Sequence, residues 1–417
     1  MTATLSTTLS PDAVVPARED LLDPAVFAAA VAAETALHVA GCARLRARYQ
    51  VGKSLRVLHE VEADGVRVLV SARSFQGDVD RIARKAREQA VGTRAPLPGV
   101  IPLRELGAVA WVYPNDRKLT RLPDLPAMVA TLLARARVEV HLVAWAPEKS
   151  ATVRCDGDDA PLAYAKAYAE PAAFREREFH DELRARLRNS EAASIPRALA
   201  WERNLLVLEP ARGTALAAIR SSTAVAAYAR YGRALAELHS VAPAAGAQPF
   251  VRLGRDHLLS AATVISRARP DVAEDALALA HRLVERRPPP LGWACLHGDA
   301  HPKNALDDGN RITFIDLEQV AAGDPAAELG SVLAVLAYRF VTGDLAEEAA
   351  ASRERAFLDA YAQSRHVPPA EAIAWNTAAA LLAERALRAV TRVRAEGLRD
   401  LPELIRHARA TLTGDAP

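Results

Sequence analysis

Cysteine is scarce in this sequence, with only Cys42, Cys155 and Cys295 spread over 417 residues. An odd number of widely separated cysteines does not form a disulfide framework, and none of the spacings is typical of a zinc site. We therefore expect all three thiols to be reduced and to lie in the apolar core.

An excess of charge of either sign is also missing, since 53 basic residues face 51 acidic ones and the net charge is +2. This balance excludes binding to nucleic acid or a membrane surface that is driven by bulk charge. The longest apolar stretch, near Ala326–Val341, is interrupted by Glu328 and Arg339 and is too short to span a bilayer. The first 20 residues lack the apolar core of a secretory signal. We expect a cytoplasmic protein.

The sequence does contain a clear change of periodicity, from strand patterns in its first half to helical patterns after Pro210. Strands followed by helices predict an α+β fold, and 417 residues exceed one compact core, so two lobes are expected. We predict a flexible tail, an N-terminal extension with a helix, a hairpin and a helix, a β-rich N-lobe and a mainly helical C-lobe, over residues 1–22, 23–137, 138–209 and 210–417.

Two short segments of the first half resemble each other. Tyr49–Ser54 and Trp145–Ser150 both follow the pattern aromatic-x-x-x-Lys-Ser, and each opens a predicted hairpin. Internal duplication and convergent hairpin patterning explain this match about equally well. The extension over residues 23–137 either adds strands to the N-lobe sheet or forms a cap that shapes the acceptor site.

One segment of the second half concentrates polar side chains that bind metal ions and phosphate. A turn sequence, Asp307–Asn310, lies between two short apolar strands. A hairpin about that turn returns Asn304, which precedes it, and Asp316, which follows it, to the same end. Asp316 and Glu318 are two residues apart, so on one strand they would point to the same face.

With Asp299, these side chains form a set of four oxygen donors. A set of hard oxygen ligands without cysteine suits Mg²⁺, which bridges phosphate oxygens. Phosphoryl transfer also needs a group that orients or deprotonates the attacking hydroxyl, and Asp299 directly precedes the hairpin. The order His297, Asp299, Asn304, Asp316 is the order of these groups in kinases. A loop of this composition without the hairpin would be an ordinary capped turn.

The chain resembles the aminoglycoside phosphotransferase and choline-kinase-like superfamily, which shares the protein-kinase fold. The segments that carry the resemblance are His297–Asn304 (His-Gly-Asp-x-His-x-x-Asn), Ile315–Glu318 (Ile-Asp-x-Glu) and Gly323–Leu329. The resemblance extends over about residues 138–417. It implies a protein-kinase-like bilobal fold, ATP as the phosphoryl donor and Mg²⁺ as the metal ion.

The resemblance implies a role for each polar residue of the segment. Asp299 would be the catalytic base or the group that orients the hydroxyl, and Asn304 and Asp316 would hold the metal ion. Asp324, followed by proline, is expected to be a helix N-cap.

Three further residues keep two interpretations each. His297 either supports the catalytic loop or simply packs, and His301 either neutralises charge on the transferring phosphoryl group or stabilises the loop. Glu318 contacts the metal, directly or through a ligand, or is a solvated or paired strand carboxylate.

The resemblance also implies a nucleotide site in the N-lobe. Lys166, surrounded by small and aromatic residues, would contact the α- and β-phosphates. Glu182 is the predicted partner of this lysine and Glu178 is the alternative; the backbone near Leu208 and Glu209 would bind adenine. Without a role in nucleotide binding, Lys166 would be a surface lysine on a strand, and the segment at Leu208 would be the apolar end of a strand.

The phosphates should be covered by the hairpin Trp145–Val153. Its loop, Ala146–Lys149, has no glycine, so the glycine-rich cover of protein kinases is absent. That difference fits kinases of small molecules better than protein kinases.

The expected acceptor is a hydroxyl of a sugar, amino sugar or related metabolite, bound against the C-lobe near Asp299. A helix predicted over residues 371–396 carries Arg385, Arg388 and Arg392 on one stripe, either a salt-bridged surface with Glu384 paired to Arg388 or a wall for an anionic acceptor. The alternatives are a Ser/Thr kinase that modifies a biosynthetic peptide, and an inactive pseudokinase scaffold. The last is disfavoured because the full set of kinase residues is present.

Overall fold

The computed structural model describes residues 9–93, 95–157, 161–220 and 222–414. The chain divides into two compact units. The N-terminal unit comprises the residues up to Ala173, Ala200–Val207 and Val390–Val393, and the C-terminal unit comprises Phe174–Leu199, Leu208–Ala389 and the residues from Arg394 onward. The first unit is built on β-sheets and the second is mainly helical, which confirms the predicted α+β class.

The N-terminal unit begins with a five-stranded sheet and its helices. The elements are α1 (Arg18–Leu22), α2 (Pro24–Thr35), β1 (Val39–Gln50), β2 (Ser54–Ala63), β3 (Val66–Ser74), α3 (Val79–Arg87), β4 (Val100–Leu103) and β5 (Ala108–Val112). The strand order is β1-β2-β3-β5-β4, and all neighbours are antiparallel. Asp64 and Gly65, both with positive φ, form the turn between β2 and β3. The last two strands are buried on both faces, so they lack the alternation that predicts strands.

A second five-stranded sheet follows along the chain. Its elements and those between them are α4 (Leu125–Leu132), β6 (Glu139–Ala146), β7 (Ser150–Asp156), β8 (Pro161–Tyr168), α5 (Ala173–Arg186), β9 (Ala193–Ser194), β10 (Ala198–Glu202) and β11 (Leu205–Leu208). The strand order is β10-β11-β8-β7-β6, and β9 belongs to a sheet of the C-terminal unit. The extension predicted as helix, hairpin and helix therefore contains a complete sheet of its own.

The segment before the first sheet is packed, although it was assigned to a flexible tail. Asp12 accepts hydrogen bonds from the Tyr49 hydroxyl and the Gly52 amide, at 2.5 and 2.8 Å. Arg18 is only 4% exposed and donates to the Tyr49 hydroxyl and to the Ser10 carbonyl. The prediction was wrong for residues 9–22 because these long-range polar contacts leave no periodic pattern in the sequence.

Helices make up most of the C-terminal unit, and they are α6 (Ala224–Ser240), α7 (Arg255–Ala268), α8 (Ala273–Glu285), α9 (Pro325–Val341), α10 (Glu347–Ser364), α11 (Ala370–Ala380), α12 (Leu387–Thr391), α13 (Ala395–Arg399) and α14 (Leu401–Thr413). Residues of α6, α9, α10 and α11 contribute to an apolar core. Asp324 caps α9 by accepting the Ala326 N–H at 2.9 Å, as predicted. Cys155, in the N-terminal unit, and Cys295 are buried, whereas Cys42 is only partly buried. Across the described residues, we find no helix with the length and apolarity needed to cross a membrane.

Short strands between these helices carry the predicted hairpin. They are β12 (Thr214–Ala215), β13 (Gln248–Pro249), β14 (Ala294–Leu296), β15 (Ala305–Asp307), β16 (Ile312–Phe314) and β17 (Ala321–Gly323). They form two sheets, of order β12-β15-β16-β9 and β13-β17-β14. The hairpin β15–β16 is antiparallel, and Asp308 closes its turn by accepting the N–H groups of Asn310 and Arg311, both at 2.9 Å. The hairpin prediction is confirmed.

Candidate active site

The loop between β14 and β15 carries the His-Gly-Asp sequence, and its course depends on the glycine. Gly298 has φ +81°, and a Cβ built on it would lie 1.6 Å from the Gln319 carbonyl oxygen. Glycine is therefore required both by the left-handed backbone and by the close approach of the neighbouring segment.

A buried glutamate on α9 fixes the same loop. Glu328 accepts the N–H groups of His297 and Gly298, at 2.9 and 2.7 Å, and His239 donates to it at 3.0 Å. The Tyr361 hydroxyl lies 2.9 Å from the other ring nitrogen of His239. Burial alone would raise the pKa of Glu328, but these hydrogen bonds and the nearby imidazoles lower it below the ordinary value. Glu328 was part of the motif, but its role was not predicted.

His297 links the loop to the end of the hairpin. Its Nε2 donates to the Ile315 carbonyl at 3.0 Å, and its Nδ1 accepts the Asp299 N–H at 3.3 Å. The ring is fully buried and lies edge-on to Phe314, with centroids 5.7 Å apart. Support of the loop and packing, the two interpretations of this residue, are both visible in its contacts.

Asp299 is buried within a group of cations. Lys303 Nζ lies 3.6 Å from its Oδ2, and guanidinium nitrogens of Arg252 and Arg388 lie 3.4 and 3.8 Å from its Oδ1. The Asn304 amide donates to Asp299 Oδ2 at 3.1 Å and to its backbone carbonyl at 2.9 Å. Burial alone would raise the pKa of Asp299, but the three cations outweigh it and lower the pKa well below the ordinary value. The carboxylate is therefore ionised at neutral pH.

His301 does not supply a positive charge to this group. Burial, with the nearby charges of Arg385 and Lys303, lowers the pKa of His301 to about 2. Its Nδ1 accepts the Lys303 N–H at 3.1 Å and so caps the short turn that follows. Of the two interpretations, the loop-stabilising one fits these contacts, and the lowered pKa argues against the charge-neutralising one.

A π-helix brings two further charged residues to the site. Leu381–Ala386 form this six-residue segment between α11 and α12, where a continuous helix was predicted over residues 371–396. Glu384 accepts from Arg252 at 2.8 Å and from Arg385 at 2.9 Å, instead of pairing with the predicted arginine one turn later. Both Glu384 and Arg385 are buried, so this part of the helix is not a salt-bridged surface, although Glu384 is ion-paired. Single π-turns are common at functional sites.

Three carboxylates form a second cluster beside the hairpin. One carboxylate oxygen from each of Glu176, Asp316 and Glu318 lies within 4.8 Å of the other two. Asp316 follows the hairpin with φ 64°, a left-handed conformation that is uncommon for any residue except glycine. Glu318 belongs to the 3₁₀ turn Leu317–Gln319, not to a strand as predicted, yet it still reaches the same cluster.

The donor set fits a magnesium ion. Asn304 is held at the open end of the hairpin, because the Ile315 N–H donates to its carbonyl at 3.0 Å. Its side-chain nitrogen is bonded to Asp299, so the side-chain oxygen is the atom that remains for a metal ion. Glu176, Asp316 and Glu318 offer only oxygen atoms as well, and hard oxygen ligands are the ones that Mg²⁺ prefers.

Glu176 was missed, although the sequence carries a signal for it. On α5 it is 1% exposed and lies on the apolar stripe formed with Ala173, His180 and Leu183. A carboxylate on the buried stripe of an amphipathic helix is unusual and points to a partner or a metal ion. Glu182 was selected by its spacing from Lys166, and that criterion does not detect the buried carboxylate of Glu176.

The glutamates chosen from the sequence have other surroundings. Glu182 pairs with Arg186 and accepts the Ala245 N–H at 2.8 Å, so both of its oxygens are engaged within the C-terminal unit. Glu178 is exposed. These contacts do not favour Glu182 as the partner of Lys166, and the pairing stays a prediction.

The remaining predicted nucleotide residues lie on strands and their ends. Lys166 is on β8, opposite Thr152, and its Nζ lies 4.9 Å from the centroid of the Tyr168 ring. Leu208 is the last residue of β11. The Glu209 N–H donates to the carbonyl of residue 197 at 2.9 Å, so this amide is not available to adenine.

The sequence matches the model of the phosphotransferase enzyme family over residues 81–367. The match spans more than half of the chain, and the chain belongs to this family. It is therefore a phosphotransferase with an alcohol group as acceptor, and the predicted relation to the aminoglycoside phosphotransferase and choline-kinase-like superfamily is confirmed. No curated protein matches the sequence.

Several solved structures are similar to this chain. The amicoumacin kinase hAmiN, solved with AMP-PNP and Ca²⁺, is 14% identical, with a TM-score of 0.49 and coverage of 69% of this chain and 92% of that one. The macrolide 2'-phosphotransferase MphH of Brachybacterium faecium is 19% identical, with a TM-score of 0.45 and coverage of 70% and 97%. The choline kinase of Cryptosporidium parvum is 13% identical, with a TM-score of 0.46 and coverage of 66% and 89%.

Proposed function

We propose that this chain transfers the γ-phosphoryl group of Mg·ATP to a hydroxyl group of a small molecule, such as a sugar, an amino sugar or a related metabolite. The observation that carries the proposal is the 3.1 Å hydrogen bond between Asn304 and Asp299. This bond connects the Asp299 carboxylate, which would receive the acceptor, to the Asn304 amide at the end of the hairpin. The other strand of the same hairpin leads directly to Asp316.

In this proposal Asn304, Asp316 and Glu318 hold the metal ion, and Glu176 joins them. Bound Mg²⁺ supplies charge neutralisation on the phosphate oxygens and a fixed orientation of the transferred group. The left-handed backbone of Asp316 presets its carboxylate on the side of the other acidic residues.

Asp299 orients the acceptor. Its ionised carboxylate accepts a hydrogen bond from the acceptor hydroxyl, whose oxygen forms the new P–O bond while the bond to the ADP oxygen breaks. The hydroxyl proton passes to the Asp299 carboxylate. Because neighbouring cations make this carboxylate a weak base, proton transfer comes late and orientation is its main contribution.

The donor is assigned to residues 138–209 and the catalytic and metal loops to residues 210–417. Lys166 contacts the α- and β-phosphates of ATP, and the Leu208 carbonyl accepts from adenine. These assignments follow the resemblance described above and the order of functional residues in kinases.

The test uses the full chain, first in a thermal shift measurement with Mg·ATP and then in an acceptor panel of sugars, amino sugars and Ser/Thr peptides. Mg·ATP should stabilise the protein and a sugar should be phosphorylated. Absence of any shift would indicate a pseudokinase, and phosphorylation of peptides alone would indicate a peptide kinase.

Two variants test the roles of the acidic residues. Asp316→Ala should lose the Mg-dependent shift, whereas Asp299→Asn should keep it and lose about 10²–10⁴-fold in kcat. The exposed Asp359→Asn on α10 is the control and should behave as the parent protein. Near-normal turnover of Asp299→Asn would remove this residue from the mechanism.

A further inference from the structure

The two sheets of the N-terminal unit share one topology. Each begins with three consecutive strands, followed by a helix (α3 or α5) and a strand pair (β4–β5 or β10–β11), and the last strand of each sheet lies beside the third. Each is also preceded by a helix, α2 or α4, that ends near an alanine with positive φ, Ala36 at 56° or Ala134 at 52°. The order of elements is therefore repeated, and not only the short sequence pattern.

The first turn of the first sheet is held by an aspartate that precedes it in the chain. Strands β1 and β2 enclose three residues, because Gln50 pairs with Ser54. The Tyr49 hydroxyl and the Gly52 N–H donate to the same oxygen of Asp12, at 2.5 and 2.8 Å. The aromatic side chain and the turn are thereby fixed by one carboxylate.

The first turn of the second sheet has the same construction. Ala146 pairs with Ser150, so three residues are again enclosed. Trp145 Nε1 and the Glu148 N–H donate to one oxygen of Asp116, at 2.9 and 3.0 Å. Glu148, at the position equivalent to Gly52, has φ 59° where the glycine has 69°. The two turns therefore agree in strand pairing, backbone conformation and capping carboxylate. This agreement indicates that one structural module has been duplicated.

The two copies differ at the position of the predicted nucleotide lysine. In the second sheet Thr152 lies opposite Lys166, and in the first sheet Arg56, at the equivalent place, lies opposite Arg73. Arg73 therefore occupies the place of the lysine. A guanidinium has a different shape and hydrogen-bond pattern from an ammonium group, so the exchange is a functional difference.

Arg73 contacts the turn of the second copy. Its Nη1 lies 2.7 Å from Glu148 Oε2, Arg117 Nη1 lies 3.0 Å from the same oxygen, and Arg56 Nε lies 3.8 Å from Oε1. Arg56 also donates to the Pro147 carbonyl. The Glu148 side chain is only 5% exposed, so two arginines of the first module, Arg56 and Arg73, and Arg117 of the following segment surround one buried carboxylate in the turn of the second.

We infer that residues 9–112 are a second copy of the nucleotide-binding module. In this inference Arg73 of this copy, together with Arg117 of the following segment, holds the turn Pro147–Lys149 in place for ATP through Glu148. The inference rests on the proposed function, in which this turn covers the phosphates. This turn has no glycine-rich sequence, and the contact with the arginines fixes the course of its backbone instead. Glu148 therefore acts as a positioning residue.

The test measures steady-state kinetics and thermal stability of Glu148→Gln and Arg73→Ala in the full chain. A displaced turn should raise the KM for ATP about 5- to 10-fold, leave the KM for the acceptor unchanged, and give no further loss when both changes are combined. Arg73→Lys should recover part of the effect. Arg117→Ala, which changes a half-exposed side chain, is the milder variant if the others fold poorly.

Glu62→Gln is the matched control, because Glu62 pairs with Arg67 at the surface of the same sheet. Equal KM values for ATP in Glu148→Gln, Glu62→Gln and the parent protein would overturn the positioning role, even if Tm falls. Failure of the parent protein to use ATP would instead overturn the proposed function.

A second inference concerns the acceptor and rests on the cations around Asp299. Arg252 is 22% exposed and also paired with Glu384, whereas Arg388 and Lys303 are 29% and 53% exposed and each forms an ion pair with the Asp299 carboxylate. One carboxylate thus faces two accessible cations in addition to the paired arginine. The charge around Asp299 is therefore positive. The carboxylates of Glu176, Asp316 and Glu318 would offset the charge of the metal ion and not that of these cations.

We propose that the acceptor carries a carboxylate or phosphate group close to the hydroxyl that is phosphorylated. Arg388 and Lys303 bind this anion, and the same field repels polycationic acceptors such as aminoglycosides. This inference deepens the proposed function by naming the charge of its substrate.

The test compares matched acceptors of one size: a neutral hexose, its uronate, its phosphate and its amino form. The uronate or the phosphate should have a kcat/KM about 10-fold or more above the neutral hexose, and the difference should shrink at high salt. Arg388→Gln should lose more activity toward the anionic acceptor than toward the neutral one, and the surface variant Arg409→Gln should not. A preference for the amino form would overturn the inference, whereas no transfer to any acceptor would overturn the proposed function.

Discussion

Replacement of Glu328 by glutamine tests how much the catalytic loop depends on one buried carboxylate. In the parent protein its two oxygens accept the N–H groups of His297 and Gly298, and His239 donates a third hydrogen bond. Glutamine has nearly the same shape but only one accepting oxygen. Its NH₂ group would therefore face one of the two backbone N–H groups, donor against donor.

The cost follows from the burial of these groups. A buried amide left without an acceptor costs about 1–3 kcal/mol, and removal of one partner from a buried charged pair costs about 3–5 kcal/mol. We expect Glu328→Gln to lower the free energy of unfolding by about 3 kcal/mol. Because Asp299 follows Gly298 directly, a shift of the loop by about 1 Å should also lower kcat by up to about 10²-fold.

The assay is urea unfolding at several pH values. The pKa of Glu328 is lower in the folded chain than its ordinary value of 4.5, so its stabilising effect is complete above pH 4.5 and is lost as the pH falls through the folded pKa. The difference between variant and parent should shrink on acidification. The exposed Glu371→Gln on α11 is the control. A loss below about 1 kcal/mol at pH 7, the size of an ordinary surface change, would refute the reasoning.

Two further predictions concern the loop and its hairpin. Gly298→Ala should prevent folding or cost more than about 3 kcal/mol, because its Cβ would overlap the Gln319 carbonyl. Gly309→Ala should cost only about 1–2 kcal/mol, because Gly309 has φ +95° but no atom within 4 Å of the added Cβ. Similar unfolding midpoints for the two variants would show that the overlap is relieved. Arg230→Ala should lower the free energy of unfolding by about 3 kcal/mol, since it leaves Asp307, bonded to Arg230 at 2.6 and 2.7 Å, as a buried unpaired charge; an unchanged denaturation curve would contradict this.

Local signals in the sequence were sufficient for the hairpin. The turn residues Asp307–Asn310 and two short apolar strands predicted that Asn304 and Asp316 return to one end, and the N–H of residue 315 does bond to the Asn304 carbonyl. Likewise, Asp324 before a proline predicted the start of α9. These features are set by residues close in the chain, so the pattern alone determines them.

Features that depend on distant contacts were not predicted. Strands β4 and β5 are buried on both faces and show no alternation. The left-handed backbone of Asp316 and the 3₁₀ turn that carries Glu318 are imposed by packing, because neither residue type requires them. Glu176 was passed over because only its place on the apolar stripe of α5, and not its distance from Lys166, distinguishes it from the other glutamates.

The π-helix Leu381–Ala386 makes the site sensitive to chain length. A π-turn contains one residue more than an α-turn, so it is equivalent to a one-residue insertion in the helix. If the same residues formed a regular α-helix instead, everything after this segment would be rotated by about 100°. Arg388 would then turn away from Asp299, although every side chain on α11 kept its neighbours. At this point of the fold, the count of residues selects which cation meets the catalytic carboxylate.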